Sequence, residues 1–487
     1  MAVAIARIRS FSITISDQPT SERRASVAAA DVSRAAQVEP FVAEDAAKST
    51  QSERSMTLMQ GIKTYPKAVG WSILLSTCII MEGFDIVLIN SLYGLLAFQQ
   101  RFGSRQPSRT YQISAAWQSS LSNGALIGEI IGLLGVGVIA EHASFKKTLI
   151  LALALVTCFI FLLFFAQGLP MLLVREVLCG LPWGEFQTLT ATYAAEVCPV
   201  TLRRYLTTYV NLCWVFGQFL SSGVLKAVSG TAGPIGYRLP YGLQWIWPVP
   251  LIIGIALAPE SPWWLVRKGR TEDAKVQLFR LTSRTQVAFD PDATVKMMVY
   301  TNELEKANTA GMSYIDCFKG VDLWRTEIVR VVWAIQILCG ASLMGHSTYF
   351  FEQAGMDTSS AFSLSLGQYA LGAIGTLSSW FLMTRYGRRT LYLWGQIAMC
   401  IILTIVGFLG VAPHDNAGVQ WAIGAMILIY TFTYDATVGP ICYSLVAEIP
   451  STRLRNKTVV LARVVYNTTG PVANILTPHM LNPESCH

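Results

Sequence analysis

Charge is what this sequence is short of. Only 14% of its 487 residues are Asp, Glu, Lys or Arg, against about 25% in soluble domains. With 52% hydrophobic residues and a mean hydropathy of +0.43, the deficit excludes an ordinary soluble domain and predicts a polytopic membrane protein. The cysteine pattern is equally bare. The 10 cysteines stand singly, most of them inside apolar runs. With no CxxC and no Cys/His cluster, neither a disulfide framework nor a zinc site is indicated. No Lys/Arg run with interleaved aromatics suggests nucleic acid. The net charge of +7 matters by where it falls, not by its size. The polar segments hold no phosphate loop, metal cluster or nucleophile–base pair, so neither an enzyme nor a cofactor is expected. Nothing at the start reads as a cleaved signal peptide.

Long apolar runs are what the chain does have. They fall at 68–93, 115–140, 148–166, 171–196, 205–226 and 244–258, then at 328–352, 361–383, 389–411, 419–447 and 458–478. Each is long enough to span a bilayer, the sixth being the shortest. The predicted organisation is a disordered cytoplasmic tail over 1–66, a six-helix bundle over 67–258, a cytoplasmic linker with short helices over 259–326, and a second bundle over 327–487. Lys and Arg sort by the positive-inside rule if the tail is cytoplasmic. Lys146, Lys147, Arg203, Arg204, Arg385, Arg388, Arg389, Arg453, Arg455, Lys457 and the basic linker all then fall inside. The first outer loop, with Arg101, Arg105 and Arg109, runs against the rule.

The two halves echo each other. Glu196-Val-Cys-Pro-Val-Thr-Leu-Arg203 recurs as Glu448-Ile-Pro-Ser-Thr-Arg-Leu-Arg455, and Lys146-Lys147-Thr148-Leu149 as Arg388-Arg389-Thr390-Leu391. Duplication of a helical bundle is the mark of a secondary transporter that holds its substrate between the halves. The repeats read as a cytoplasmic gate of Glu196, Arg203, Glu448, Arg455, Lys146 and Arg388. Each Glu pairs with the neighbouring loop's cation when the inner face is closed and parts from it when that face opens.

The first run carries Met81-Glu82-Gly83-Phe84-Asp85 near its middle. A charge at membrane depth costs about 2.5–3.5 kcal/mol on insertion scales, so two on one span need a reason. Their i,i+3 spacing places both on one helix face. Glu129, beside Gly124, Gly128 and Gly132, is a third buried acid, and those glycines form a strip suited to close helix packing. Arg463 can balance a buried carboxylate across the bundle. Removal from water favours the neutral acid and a nearby cation favours the charged one, so an acid that alternates between them carries protons.

Asn211, Trp214 and Gln218 share a face of the fifth run. The seventh offers Gln336, Ser342 and His346. In the tenth, Gly439-Pro440 is expected to break the helix ahead of Tyr443. Amides match hydroxyls as paired donor and acceptor, and aromatic rings stack on the apolar faces of pyranoses. The set favours a neutral polyol. An organic anion would call for buried cations, for which only Arg175 and Arg463 qualify.

These residues together resemble the sugar porter family of the major facilitator superfamily, over about residues 66–480. The most specific piece is Pro259-Glu-Ser-Pro-Trp-Trp-Leu265, similar to the family's PESPRWL. Arg175 with Gly180 and Gly184, Tyr193 with Glu196 and Arg203, Tyr237-Arg-Leu-Pro-Tyr-Gly-Leu-Gln244 and Gly387-Arg388-Arg389 support it. Within the family, Met81–Asp85, Gly124–Glu129, Leu338-Cys-Gly340 and Arg453–Thr458 followed by Leu461-Ala-Arg463 look like fungal α-glucoside (maltose-type) proton symporters. The resemblance implies an all-α bundle of two pseudo-repeated halves and proton-coupled disaccharide uptake across the plasma membrane. It implies that Glu82, Asp85 and Glu129 take part in coupling or substrate binding, with Arg463 as balancing charge, and that Gln218 and Gln336 contact sugar.

The chain departs from that pattern in places. Ser144 stands for a Gly in the first cytoplasmic loop, beside Glu141 and His142, and is expected to strain a tight turn. Thr384 stands for an Asp, Trp263 for the Arg of PESPRWL, and His346 for an aromatic. Eleven spans against the family's twelve predict an outer C-terminus and an unfilled groove in the second half. A facilitative uniporter, a non-transporting sugar sensor and an inactive truncated paralogue are the alternative functions.

Overall fold

The computed structural model describes residues 58–105, 111–231, 233–282, 290–309, 313–411, 417–451 and 454–481. Most of the predicted tail, residues 1–57, lies outside that set. Helix begins ahead of the expected boundary, with α1 at Leu58–Thr64. Pro66 opens α2 (Pro66–Ser76), since its fixed φ suits a first turn where its missing N–H is not needed. The chain passes at Thr77 into α3 (Cys78–Leu92), Thr77 Oγ1 donating back to Leu74 O at 2.5 Å. Next come α4 (Leu96–Phe102) and a ribbon of β1 (Ser104–Arg105) and antiparallel β2 (Tyr111–Gln112), a small exception to an all-helical chain. Then α5 (Ala115–Ala143), α6 (Phe145–Phe164), α7 (Leu169–Val197), α8 (Val200–Val228), α9 (Pro234–Leu243) and α10 (Pro248–Leu257) complete the first half. The polar segment holds α11 (Pro262–Arg267), α12 (Thr271–Leu281) and α13 (Pro291–Thr309). The second half runs α14 (Gly320–Leu338), α15 (Ala341–Gly345), α16 (Ser347–Gln353), α17 (Thr358–Arg385), α18 (Arg388–Leu409), α19 (Ala417–Thr433), α20 (Gly439–Glu448) and α21 (Arg455–Leu481).

All eleven predicted apolar runs are thus helical. Five stretches among the described residues are long and apolar enough to cross a membrane on length and composition alone: Pro66–Leu92, Phe145–Phe164, Pro234–Leu257, Arg388–Leu409 and Gly418–Val446. Arg388–Leu409 is only 28% buried, as a lipid-facing helix should be, whereas Pro66–Leu92 is 72% buried. The remaining long helices, α5, α7, α8, α17 and α21, carry more glycine, amide and hydroxyl residues because they pack on other helices.

Close approach of backbones welds the first half. A Cβ on Gly128 would lie 2.1 Å from Val177 O, and one on Gly132 2.1 Å from Leu181 O, so α5 meets α7 along the glycine strip. Gly83 is as tight against Trp214 O, which fastens α3 to α8. The linker joins this half: Trp264, Leu265, Leu278, Leu281 and Met298 belong to the same apolar core as Leu153, Trp183 and Phe186. The second half has smaller, separate apolar clusters.

One helix of the second half is interrupted and another changes its winding. Gly340, at φ 102°, ends α14, a backbone state open to Gly without cost. Tyr430 Oη donates to the freed Cys339 O at 2.7 Å. The expected break at Gly439-Pro440 is not a break. A π-helical turn over Tyr434–Val438 carries α19 into α20. Ser144 is the sole non-Gly residue at positive φ among the described residues, at φ 86° and ψ 151°. That region is essentially reserved for Gly.

The halves meet along α8 with α17, α5 with α21 and α3 with α16. Lys226 Nζ donates to Ser359 O at 2.6 Å, Asn123 Nδ2 to Pro471 O at 3.5 Å, and the hydroxyls of Ser91 and Thr348 lie 3.3 Å apart.

Candidate substrate and proton site

A cavity of about 170 Å³ lies between the halves. That is below the range of roughly 300–1,000 Å³ usual for small-molecule sites. The sequence-predicted Gln218, Gln336, Ser342, His346 and Glu129 all line it, as does Trp214. Asn211, on the same face of α8, does not. Ser342 sits 3.4 Å from Asn474 Oδ1, and His346 Nδ1 3.1 Å from Ser342 O. Gln336 Oε1 and His346 Nε2 have no protein partner. Buried polar atoms of this kind require hydrogen bonds from water or a guest.

Asp85 is elsewhere. It is not among the residues that line the cavity. Its carboxylate is taken up by Arg175, with Nη1 to Oδ2 at 2.8 Å and Nη2 to Oδ1 at 2.7 Å, and by Gln244 Nε2 at 2.5 Å. Arg175 also holds Glu176 Oε1 at 2.6 Å and Gln244 Oε1 at 3.2 Å, and lies 5.5 Å from the centroid of the Trp183 ring. Both sides of the Arg175–Asp85 pair are buried. Both terminal nitrogens of the guanidinium are therefore engaged, while its buried Nε has no hydrogen-bond partner.

Arg463 faces the other acids. Glu82 lies within electrostatic reach of Glu129 and Arg463, and accepts from Gln187 Nε2 at 2.5 Å. The Arg463 guanidinium stacks 4.8 Å from the Trp333 centroid and 4.7 Å from Tyr466. Tyr443 belongs to this aromatic cage, edge-on to Trp333 at 5.3 Å, and is not among the residues that line the cavity. One extra residue in the π turn rotates everything downstream by about 100°.

The gate residues pair within each half. Arg388 Nη2 meets Glu448 Oε1 at 2.7 Å. Glu196 binds Arg267 Nη2 at 2.8 Å and the Ser261 hydroxyl, with Arg203 near it, whereas Lys146 faces Glu260. Arg267 lies one turn beyond Trp263 on α11, so the cation lost at 263 is supplied four residues later on the same helix face. The Arg455 side chain and the whole of Arg453 lie outside the described residues.

Several cavity residues escaped the sequence reading: Glu176, Trp183, Asn90, Tyr369, Asn474 and Asp435. Asp435 is buried on the π turn against Gly372, where an added Cβ would come within 2.6 Å of Oδ2. Glu176 and Asp435 carried the same signal as Glu82, an acid inside an apolar run. Gln244, whose amide bridges Arg175 and Asp85, gave none beyond its place in the Tyr237–Gln244 segment.

The sugar (and other) transporter family matches residues 71–485. The general alpha-glucoside permease of Saccharomyces cerevisiae (strain ATCC 204508 / S288c) is 45% identical over 445 residues, covering 90% of this chain and 72% of that protein. The maltose permease MAL31 of the same strain is 43% identical over 454 residues, covering 91% and 72%. Among solved structures, the proton:xylose symporter XylE bound to 6-bromo-6-deoxy-D-glucose aligns with a TM-score of 0.70 and 20% identity, over 85% of this chain and 89% of that one. XylE from E. coli in a partially occluded inward-open conformation gives 0.66 at 18% identity, over 85% and 93%. Those identities speak to the fold alone, a major facilitator fold of multiple membrane-crossing helices. The chain belongs to the sugar (and other) transporter family.

Proposed function

We propose that the chain is a secondary active transporter that imports an α-glucoside, maltose being the type, together with protons by alternating access. The carrying observation is one cavity between the halves that combines neutral amides, hydroxyls and rings with three carboxylates, Glu129, Glu176 and Asp435. Gln218, Gln336, Ser342 and His346 hold sugar hydroxyls, and Trp183 and Trp214 supply flat apolar surface. The relatives named for alpha-glucosides and maltose support that substrate class.

Coupling resides in the acids. Asp85 and Glu176 share Arg175, while Glu82 and Glu129 share the field of Arg463. When the halves rock, a carboxylate that loses its cation is left as a lone buried charge, which is costly enough that it binds a proton instead. Sugar in the same cavity as Glu129 and Glu176 favours the same conformational change, which is the condition for symport. Glu196 with Arg267 and Glu448 with Arg388 part as the inner face opens. In this reading the N-terminus is cytoplasmic and the membrane is the plasma membrane.

The buried Arg175–Asp85 pair also suits a facilitative uniporter in which the acids serve structure alone. Intact cells expressing the chain separate the two. Sugar-induced alkalinisation of a weakly buffered medium is the expected result for symport. Uptake of labelled maltose with no alkalinisation at any pH overturns it.

A further inference from the structure

At the linker end of the first half a surface notch is lined by Lys67 of α2 and by Val276, Phe279 and Arg280 of α12. Helix α12 has two faces. Ala274, Leu278 and Leu281 are buried in the main core, while Val276 and Phe279 are left 56% and 57% exposed on the opposite side. Arg280 fastens α12 to the end of α10, donating from Nη2 to Leu257 O at 2.8 Å, and from Nη1 to Gln277 Oε1 at 3.1 Å. Val249, Ile253 and Leu257 form an exposed strip on α10, part of a span that is only 33% buried and so faces lipid. The apolar strip therefore runs from the bilayer wall to Phe279 and ends at two cations.

The charge on Lys67 is not taken up by an ion pair. Lys67 makes no hydrogen bond or ion pair among the described residues, and the acids at the start of α12 are already engaged: Glu272 by Lys275 and Asp273 by Arg270. Lys146 adds a third positive charge near Arg280, with Glu260 beside it.

We propose that this notch is an anionic-phospholipid site. The headgroup phosphate lies between Lys67 and Arg280, and one acyl chain follows Phe279, Leu257 and Ile253. Such a lipid bridges α2 and α12, pinning the linker that also carries Arg267, the partner of Glu196. A basic side chain near an anionic leaflet contributes about 1 kcal/mol, equivalent to roughly fivefold in affinity.

The test uses the full chain in detergent, with phosphatidylserine and phosphatidylcholine titrated separately and adducts counted by native mass spectrometry. Phosphatidylserine binds more tightly than phosphatidylcholine, and Lys67→Gln weakens the first about fivefold while leaving the second unchanged. Phe279→Ser weakens both. Lys67→Gln breaks no internal bond, so it decides the matter even if Arg280→Gln, which loses its hold on Leu257, fails to fold. Equal phosphatidylserine affinity in Lys67→Gln and the parent overturns the proposal. So does displacement of phosphatidylserine by millimolar inorganic phosphate, which would mark the notch as a soluble-anion site.

Discussion

Asp85→Asn offers the sharpest test of coupling, because the structure separates its effect on transport from its effect on the fold. A lone buried charge left by breaking an ion pair costs about 3–5 kcal/mol. Asp85→Asn does not create one. Arg175 keeps Glu176 as counter-ion at 2.6 Å, so the expected loss is that of charged hydrogen bonds, about 1.5–3 kcal/mol. The chain should fold and still exchange sugar. Accumulation should collapse. A membrane potential of 100 mV is worth about 2.3 kcal/mol per charge, and at about 1.36 kcal/mol per decade one coupled proton supports roughly 50-fold accumulation. Proteoliposomes held at that potential by a potassium gradient and valinomycin, fed labelled maltose, should reach that ratio with the parent chain and a ratio near one with Asp85→Asn. Counterflow exchange should survive within a few-fold. A variant that still concentrates maltose more than about tenfold refutes a role for Asp85 in coupling. Adding Glu176→Gln strands Arg175, so the double variant should lose about 3–5 kcal/mol; a cost equal to the sum of two small single losses would show that Arg175 finds another counter-ion.

Ser144→Gly should stabilise the chain. Relief of a Gly-only backbone state gains about 1–3 kcal/mol, less about 0.5–1 for the added freedom of Gly when unfolded, and the Ser144 side chain makes no capping bond that would be lost. A thermal midpoint that falls in detergent would contradict the strain. Gly83→Val should abolish the folded state or lower its midpoint sharply, since even a Cβ would lie 2.1 Å from Trp214 O; normal size-exclusion behaviour and midpoint would show the α3–α8 contact to be looser than described. Gln218→Ala should raise KM for maltose about fivefold or more, through loss of a hydrogen bond of about 1 kcal/mol, with little change in midpoint; unchanged KM would remove Gln218 from the sugar site. Uptake of labelled maltose should be faster at external pH 5 than at pH 7.5, because protons are co-substrate; a flat profile would favour the uniporter.

Local patterns were readable where a residue's neighbours along the chain decide its fate. Glu82 and Asp85 stood out because acids in an apolar run are costly, whereas the strain at Ser144 was legible only through the resemblance, which has Gly at that position. The partners of those acids were not readable. Arg175 lies 90 positions from Asp85 and Gln244 another 69 beyond Arg175, and only the folded bundle brings them together. The π turn over Tyr434–Val438 was not readable either, because no periodicity announces a one-residue insertion. Asp435 and Glu176 are a different kind of miss, since the rule that singled out Glu82 applied to them equally.

The tight backbone contacts of α5 with α7 and α3 with α8 leave the first half little room to flex, and the linker rides on it. In the second half Gly340 and the π turn over Tyr434–Val438 are ready-made joints. Opening and closing should therefore be lopsided, with one lobe swinging as a solid block and the other bending at its elbows around whatever is held between them.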